Sequence, residues 1–128
     1  MTNEEKDLLL KDLCSRLPYG VMASTKLGSN IIVSFIGDDI IKGEDGDSYD
    51  ISFIKPYLRP TSSMTKEEKI DYDRLCSYCL EQDTVNYNIT TLDRTQLVYV
   101  IDWLNAHHFD YRGLISKGLA LEALPDMY

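Results

Sequence analysis

Apolar positions recur along this chain first with a helical period, then with a strand period, then with a helical period again. Leu9, Leu10, Leu13, Cys14 and Leu17 fall on one arc of a helical wheel, with Lys11, Asp12 and Ser15 opposite. Thr2 precedes the run, and Glu5 three residues later completes a capping-box pattern, in which each residue's side chain satisfies the other's backbone N–H. Pro18 disfavours helical backbone at the residue before it, so this helix is expected to end near Leu17.

The period then shortens. Residues 20–25 and 30–36 are β-prone runs separated by Lys26-Leu27-Gly28-Ser29, and Gly37-Asp38-Asp39 marks a second turn. Residues 40–42 and 48–54 flank a third turn, Gly43-Glu44-Asp45-Gly46-Asp47. Such short connections favour antiparallel neighbours, and the expectation is a meander of three or four strands. Residues 55–64 (KPYLRPTSSM) carry Pro56 and Pro60 and are expected to cross the molecule without regular structure.

Thr65 and Glu68 repeat the capping box, and Tyr72, Leu75, Cys76, Cys79 and Leu80 form the stripe of a second helix. A polar connector follows over 83–90. Thr90 or Thr91 then opens a third helix that runs to about His107, with Leu97, Val100, Ile101 and Leu104 on its core side. Residues 110–128 read as a short helical turn and a docked tail. The expected fold class is α+β, a single domain over residues 1–128. It has an N-terminal helix, a small antiparallel β-meander of three or four strands, two helices and a docked C-terminal tail.

Composition narrows the class. The apolar fraction of 44% and charged fraction of 27% are those of a globular protein. No run of about 18 apolar residues is present to span a membrane. The opening Met-Thr-Asn-Glu-Glu-Lys-Asp has no apolar signal-peptide segment, and a cytoplasmic location is expected. Three cysteines, an odd number, suit reduced thiols in that compartment. The net charge of −8 disfavours direct nucleic-acid binding. Residues 38–50 hold six acids against one Lys. This stretch reads either as a solvated hairpin or, through Glu44, Asp45 and Asp47, as a docking patch for a basic partner.

Three segments are familiar together: Asp12-Leu13-Cys14-Ser15-Arg16-Leu17-Pro18-Tyr19-Gly20-Val21, then Lys55-Pro56-Tyr57-Leu58-Arg59-Pro60 with Ser62-Ser63-Met64-Thr65, and His108-Phe109-Asp110-Tyr111-Arg112-Gly113-Leu114-Ile115 with Gly118-Leu119-Ala120. In this order they resemble an uncharacterised family of short proteins common in gut anaerobes and in their phages and mobile elements. The resemblance implies a small cytoplasmic protein encoded near mobile DNA. It implies no activity and transfers no catalytic residue.

Candidate chemistry concentrates between Trp103 and Ile115, which hold the single Trp, both His residues and an Asp/Tyr/Arg cluster. Adjacent helical residues point about 100° apart, so His107 and His108 do not share one ion. His107 is expected to cap the third helix at its C-terminus, where the dipole favours a cation. His108 reads as a buried imidazole bonded to a backbone carbonyl or to Asp110, and Asp110 as the N-cap of the next turn, near Arg112 or Gly113. The catalytic alternative makes His108 a general base oriented by Asp110, with Arg112 holding a phosphate or carboxylate. Cys76 and Cys79 form a lone C-x-x-C on an apolar helix face, which favours core packing over zinc or redox chemistry. Asp45 to Asp50 lack the ligand spacing of a calcium loop. No phosphate-loop, dinucleotide, nucleophile-elbow or zincin motif occurs. No cofactor or metal is therefore expected.

The first functional expectation is a non-enzymatic interaction or accessory protein of mobile-element origin. Its partner is another protein or a second copy of the chain, with no membrane involved, and the abundant tyrosines suit such an interface. The others are a small hydrolase or nucleic-acid-processing enzyme using His108, Asp110 and Arg112, and an acidic inhibitor that fills a basic cleft through residues 38–50.

Overall fold

In the computed structural model, residues 1–81 and 94–128 are described, with backbone alone for 77–81 and 94–96. Helix α1 (Asn3–Arg16) starts as its sequence dictates. The Thr2 hydroxyl accepts from the Glu5 N–H at 3.1 Å, and the Glu5 carboxylate accepts from the Thr2 N–H at 3.4 Å. A single 3-10 turn, Leu17–Tyr19, and Gly20 at φ 69° then redirect the chain.

The buried stripe of α1 differs from the expected one. Leu9 and Leu13 are buried, and so are Asp12 and Arg16, while Cys14 is exposed. Their sequence periodicity puts Asp12 on the polar side and Cys14 on the apolar arc. The reason is charge pairing. Arg16 donates to both Asp12 oxygens, at 2.8 and 3.1 Å, and a neutralised pair can enter a core that either charge alone could not, although Arg16 Nη1 has no hydrogen-bond partner among the described residues.

The meander follows as β1 (Met22–Thr25), β2 (Asn30–Ile36), β3 (Ile40–Gly43) and β4 (Ser48–Asp50), antiparallel throughout. A 3-10 turn, Ile51–Phe53, leads into β5 (Ile54–Leu58), which returns to pair antiparallel with β1. Strand β6 (Leu121–Glu122) adds parallel to β5. The sheet order is β4-β3-β2-β1-β5-β6.

Strand β5 corrects the expectation of an irregular crossing over 55–64. Pro56 is tolerated because of its place in the ladder. The Lys26 N–H donates to the Phe53 carbonyl, so the Ala23–Pro56 pair is one in which neither residue bonds across to the other. Pro56 therefore turns its nitrogen away from β1, toward a side where β6 pairs only with Tyr57 and Leu58.

One face of the sheet meets α1. Val21, Ala23, Ile31, Val33, Ile41, Ile54 and Leu58 pack there with Leu9, Leu13, Leu114 and Leu119. Helix α2 (Lys66–Glu81) opens with the second capping box, Thr65 and Glu68 bonding reciprocally at 3.0 and 3.1 Å. Tyr72, Leu75 and Cys76 are half-buried. The expected stripe positions Cys79 and Leu80, the connector 83–90 and the helix start at Thr90 or Thr91 lie outside the described side chains or residues.

Helix α3 (Arg94–Ala106) buries Leu104, but Leu97 and Ile101 are 44% and 41% exposed, against their expected place on the core side. The helix is anchored at its end instead. The Trp103 ring packs tilted against Tyr72 of α2 and stacked on Phe109, each at 5.7 Å, and Phe109 is fully buried. Among the described residues, no helix is long and apolar enough to cross a membrane.

Candidate functional site

The chain reverses direction after α3, and the chemistry-bearing residues cluster there. His107 closes the helix. Its Nδ1 lies 2.9 Å from the Trp103 carbonyl and its ring stacks on Trp103 at 4.1 Å. His108 then takes φ 60°, the left-handed position where helices usually end on glycine. The Phe109 N–H bonds back to the Leu104 carbonyl, closing the last turn.

The His108 ring is buried and stacks at 3.7 Å on Tyr128. Its Nδ1 is buried without a hydrogen-bond partner among the described residues. Burial, and secondarily the positive Arg16 guanidinium, depress its pKa to about 4, so the ring is neutral at pH 7.

Asp110 spends both oxygens on the next turn, accepting from the Leu114 N–H at 2.8 Å and the Ile115 N–H at 2.9 Å. These amides follow directly on Gly113, in the turn where the cap was expected. Arg112 points back to α1, with Nε 3.4 Å from Asp12 and Nη2 3.4 Å from the Ser15 hydroxyl. Arg16 reaches the Phe109 carbonyl at 2.6 Å, and the Arg16 and Arg112 guanidinium carbons lie 5.3 and 5.2 Å from the Tyr111 ring centre. His108, Asp110 and Arg112 thus share one chain reversal, but each bonds a different partner. No hydrogen bond joins any two of them among the described contacts.

Tyr128 was not singled out by its sequence context. Strands β1 and β5 separate beyond the Ala23–Pro56 pair, and the Tyr128 hydroxyl fills the gap. It accepts from the Met22 N–H at 2.9 Å and donates to the Tyr57 carbonyl at 2.8 Å, standing where a direct ladder bond would be. Burial pushes this phenol up to about 12.

A cleft of about 790 Å³ opens beside Tyr128, between residues 59–68 and 122–128. On its first wall Arg59 donates to both Glu68 oxygens, at 2.6 and 2.8 Å, while lying 4.3 Å over the Phe109 ring. The Arg59 partner holds the Glu68 carboxyl down at about 2. The opposite wall carries Glu122 and Asp126. Nothing in the local sequence of either wall marks the cleft, because its halves meet only in the folded chain.

Glu44, Asp45 and Asp47 are exposed on the β3–β4 turn, where Asp45 accepts from the Asp47 N–H and the Tyr49 hydroxyl. Asp38, Asp39 and Asp50 lie at the other end of these strands, with Lys6 3.0 Å from Asp39. The six acids of 38–50 therefore form two groups. Among the described residues no three His, Cys, Asp or Glu side chains gather as a metal ion would need.

The sheet face away from α1 is open. Ile32 and Leu121 are each 36% exposed, and Phe35 and Ile40 about half exposed. A register shift between Val33 and Phe35 turns the Phe35 ring outward, where Lys42 lies over it at 5.4 Å. Lys55 shares this face. No protein family, curated protein or solved structure matches this chain in comparison.

Proposed function

We propose that the chain is a non-enzymatic interaction protein, of the accessory kind its motifs resemble, and that its working surface is the open sheet face. The observation that carries this reading is the exposure of Ile32, Phe35, Ile40 and Leu121 on one side of a sheet whose other side is fully packed. Contiguous exposed apolar surface marks association sites. Lys42 and Lys55 share this face with Asp50, which pairs with Ile40, and Glu44, whose N–H bonds the Ile32 carbonyl, so the apolar residues are interleaved with both signs of charge. The partner is therefore a protein with an apolar patch rimmed by charges of both signs. The inward, neutral His108 and the fully committed Asp110 carboxylate favour this reading over the enzymatic one.

Capture by cross-linking in the source cells tests it. Phe35→Ser with Ile40→Ser should keep the melting temperature and lose the captured protein. A captured set that is the same for wild type and double variant would overturn the reading. A dimer that the double variant abolishes would identify the partner as a second copy.

A further inference from the structure

The geometry points to a second binding site: the cleft between residues 59–68 and 122–128 takes a guanidinium or ammonium group carried by an extended basic peptide. This inference uses none of the sheet-face residues and stands independently of that reading. At about 790 Å³ the cleft falls within the roughly 300–1,000 Å³ of pockets that enclose ligands.

Charge decides what it attracts. Of the three carboxylates lining it, Glu68 is neutralised by the bidentate Arg59. Glu122 and Asp126 have no cationic partner among the described residues. Two uncompensated carboxylates on one wall concentrate a negative potential in the cleft. An anion is excluded twice over. Those carboxylates repel it, and the N-terminus of α2, the natural anion site, already has the Glu68 carboxylate on the Thr65 N–H.

Two further features favour a peptide over a free amine. Tyr128 lines the cleft 41% exposed, its ring fixed by the stack on His108 and by its bridging hydroxyl. A rigid ring beside carboxylates suits a cation above its face. Strand β6 is also a sheet edge. The Ala123 N–H bonds the Leu58 carbonyl, so the alternate residue, Glu122, turns its own N–H and C=O away from β5. An extended chain pairing there places a basic side chain beside the Glu122 and Asp126 carboxylates.

Titration of ¹⁵N-labelled protein with acetyl-Gly-Arg-Gly-Arg-Gly-amide tests this, with a citrulline peptide of equal length and spermidine as comparisons. Saturable shifts are expected at residues 62–68 and 122–128. Glu122→Gln with Asp126→Asn should raise the Kd at least tenfold, and Asn tolerates the Asp126 φ of 62°. Glu44→Gln with Asp47→Asn removes the same charge elsewhere and should change the Kd less than twofold. Equal losses in the two double variants would reduce the effect to net charge and overturn the proposal. So would equal binding of the citrulline peptide, or the absence of saturable shifts. Spermidine binding tighter than the peptide would overturn the peptide as occupant.

Discussion

His108 combines a left-handed backbone, a buried imidazole and an unpartnered nitrogen in one residue. An ordinary imidazole takes its proton near pH 6.5, this one near 4. Between those values the unfolded chain binds more protons than the folded one. Stability should therefore be level above pH 6.5 and fall as pH drops from 6.5 to 4. Each pK unit corresponds to about 1.4 kcal/mol, and solvent screening reduces this, so the expected swing is about 2 kcal/mol. Urea unfolding across this range measures it. His108→Asn, which accepts the same backbone, should flatten the slope, and an unchanged slope would place the titrating group elsewhere. Asp12 carries a different risk. Arg16 is fully buried, so Asp12→Ala leaves its charge without a counter-ion and should cost about 3–5 kcal/mol in the same assay.

Helix α2 is held at its first turn by residues that also form the cleft. Thr65→Ala removes the cap on the Glu68 N–H and should cost about 1 kcal/mol, read from a thermal melt. Glu68 additionally holds Arg59 over Phe109, so Glu68→Ala should cost more and change the near-ultraviolet dichroism of Trp103. With its pKa lowered to about 2, the Glu68 contribution is present above pH 4.5 and is lost as pH falls from 4.5 toward 2, a window that begins just before the His108 one ends. Both capping boxes were legible in the sequence because a box needs only four consecutive residues. The four-strand meander was legible from its turns. Strand β5 was not, since a proline's fitness for a strand depends on which way its nitrogen faces in a ladder set by β1. Nor was the burial of Asp12 and Arg16, which rests on Phe109 and Arg112 far along the chain.

At the scale of the whole molecule, the acids of the β3–β4 turn lie outside the core, unlike Asp12. Replacing Glu44, Asp45 and Asp47 by Ser should change stability by less than about 1 kcal/mol, since exposed charges contribute little. A large fall in melting temperature would show that the β3–β4 turn carries tertiary contacts. The cluster around His108 was visible in the sequence as a crowd of reactive types, but not its division among separate partners. The cleft was invisible because Glu68 and Glu122 come from remote segments. The Tyr128 hydroxyl, set between Met22 and Tyr57, has one further consequence. The Met22 amide is hydrogen-bonded to a side chain 106 residues away, so its exchange with solvent should be slowed while the tail is docked. Tyr128→Phe should cost about 1–3 kcal/mol and release this amide selectively. The exchange rate of one amide in β1 is thus a clock for the opening of the opposite end of the chain.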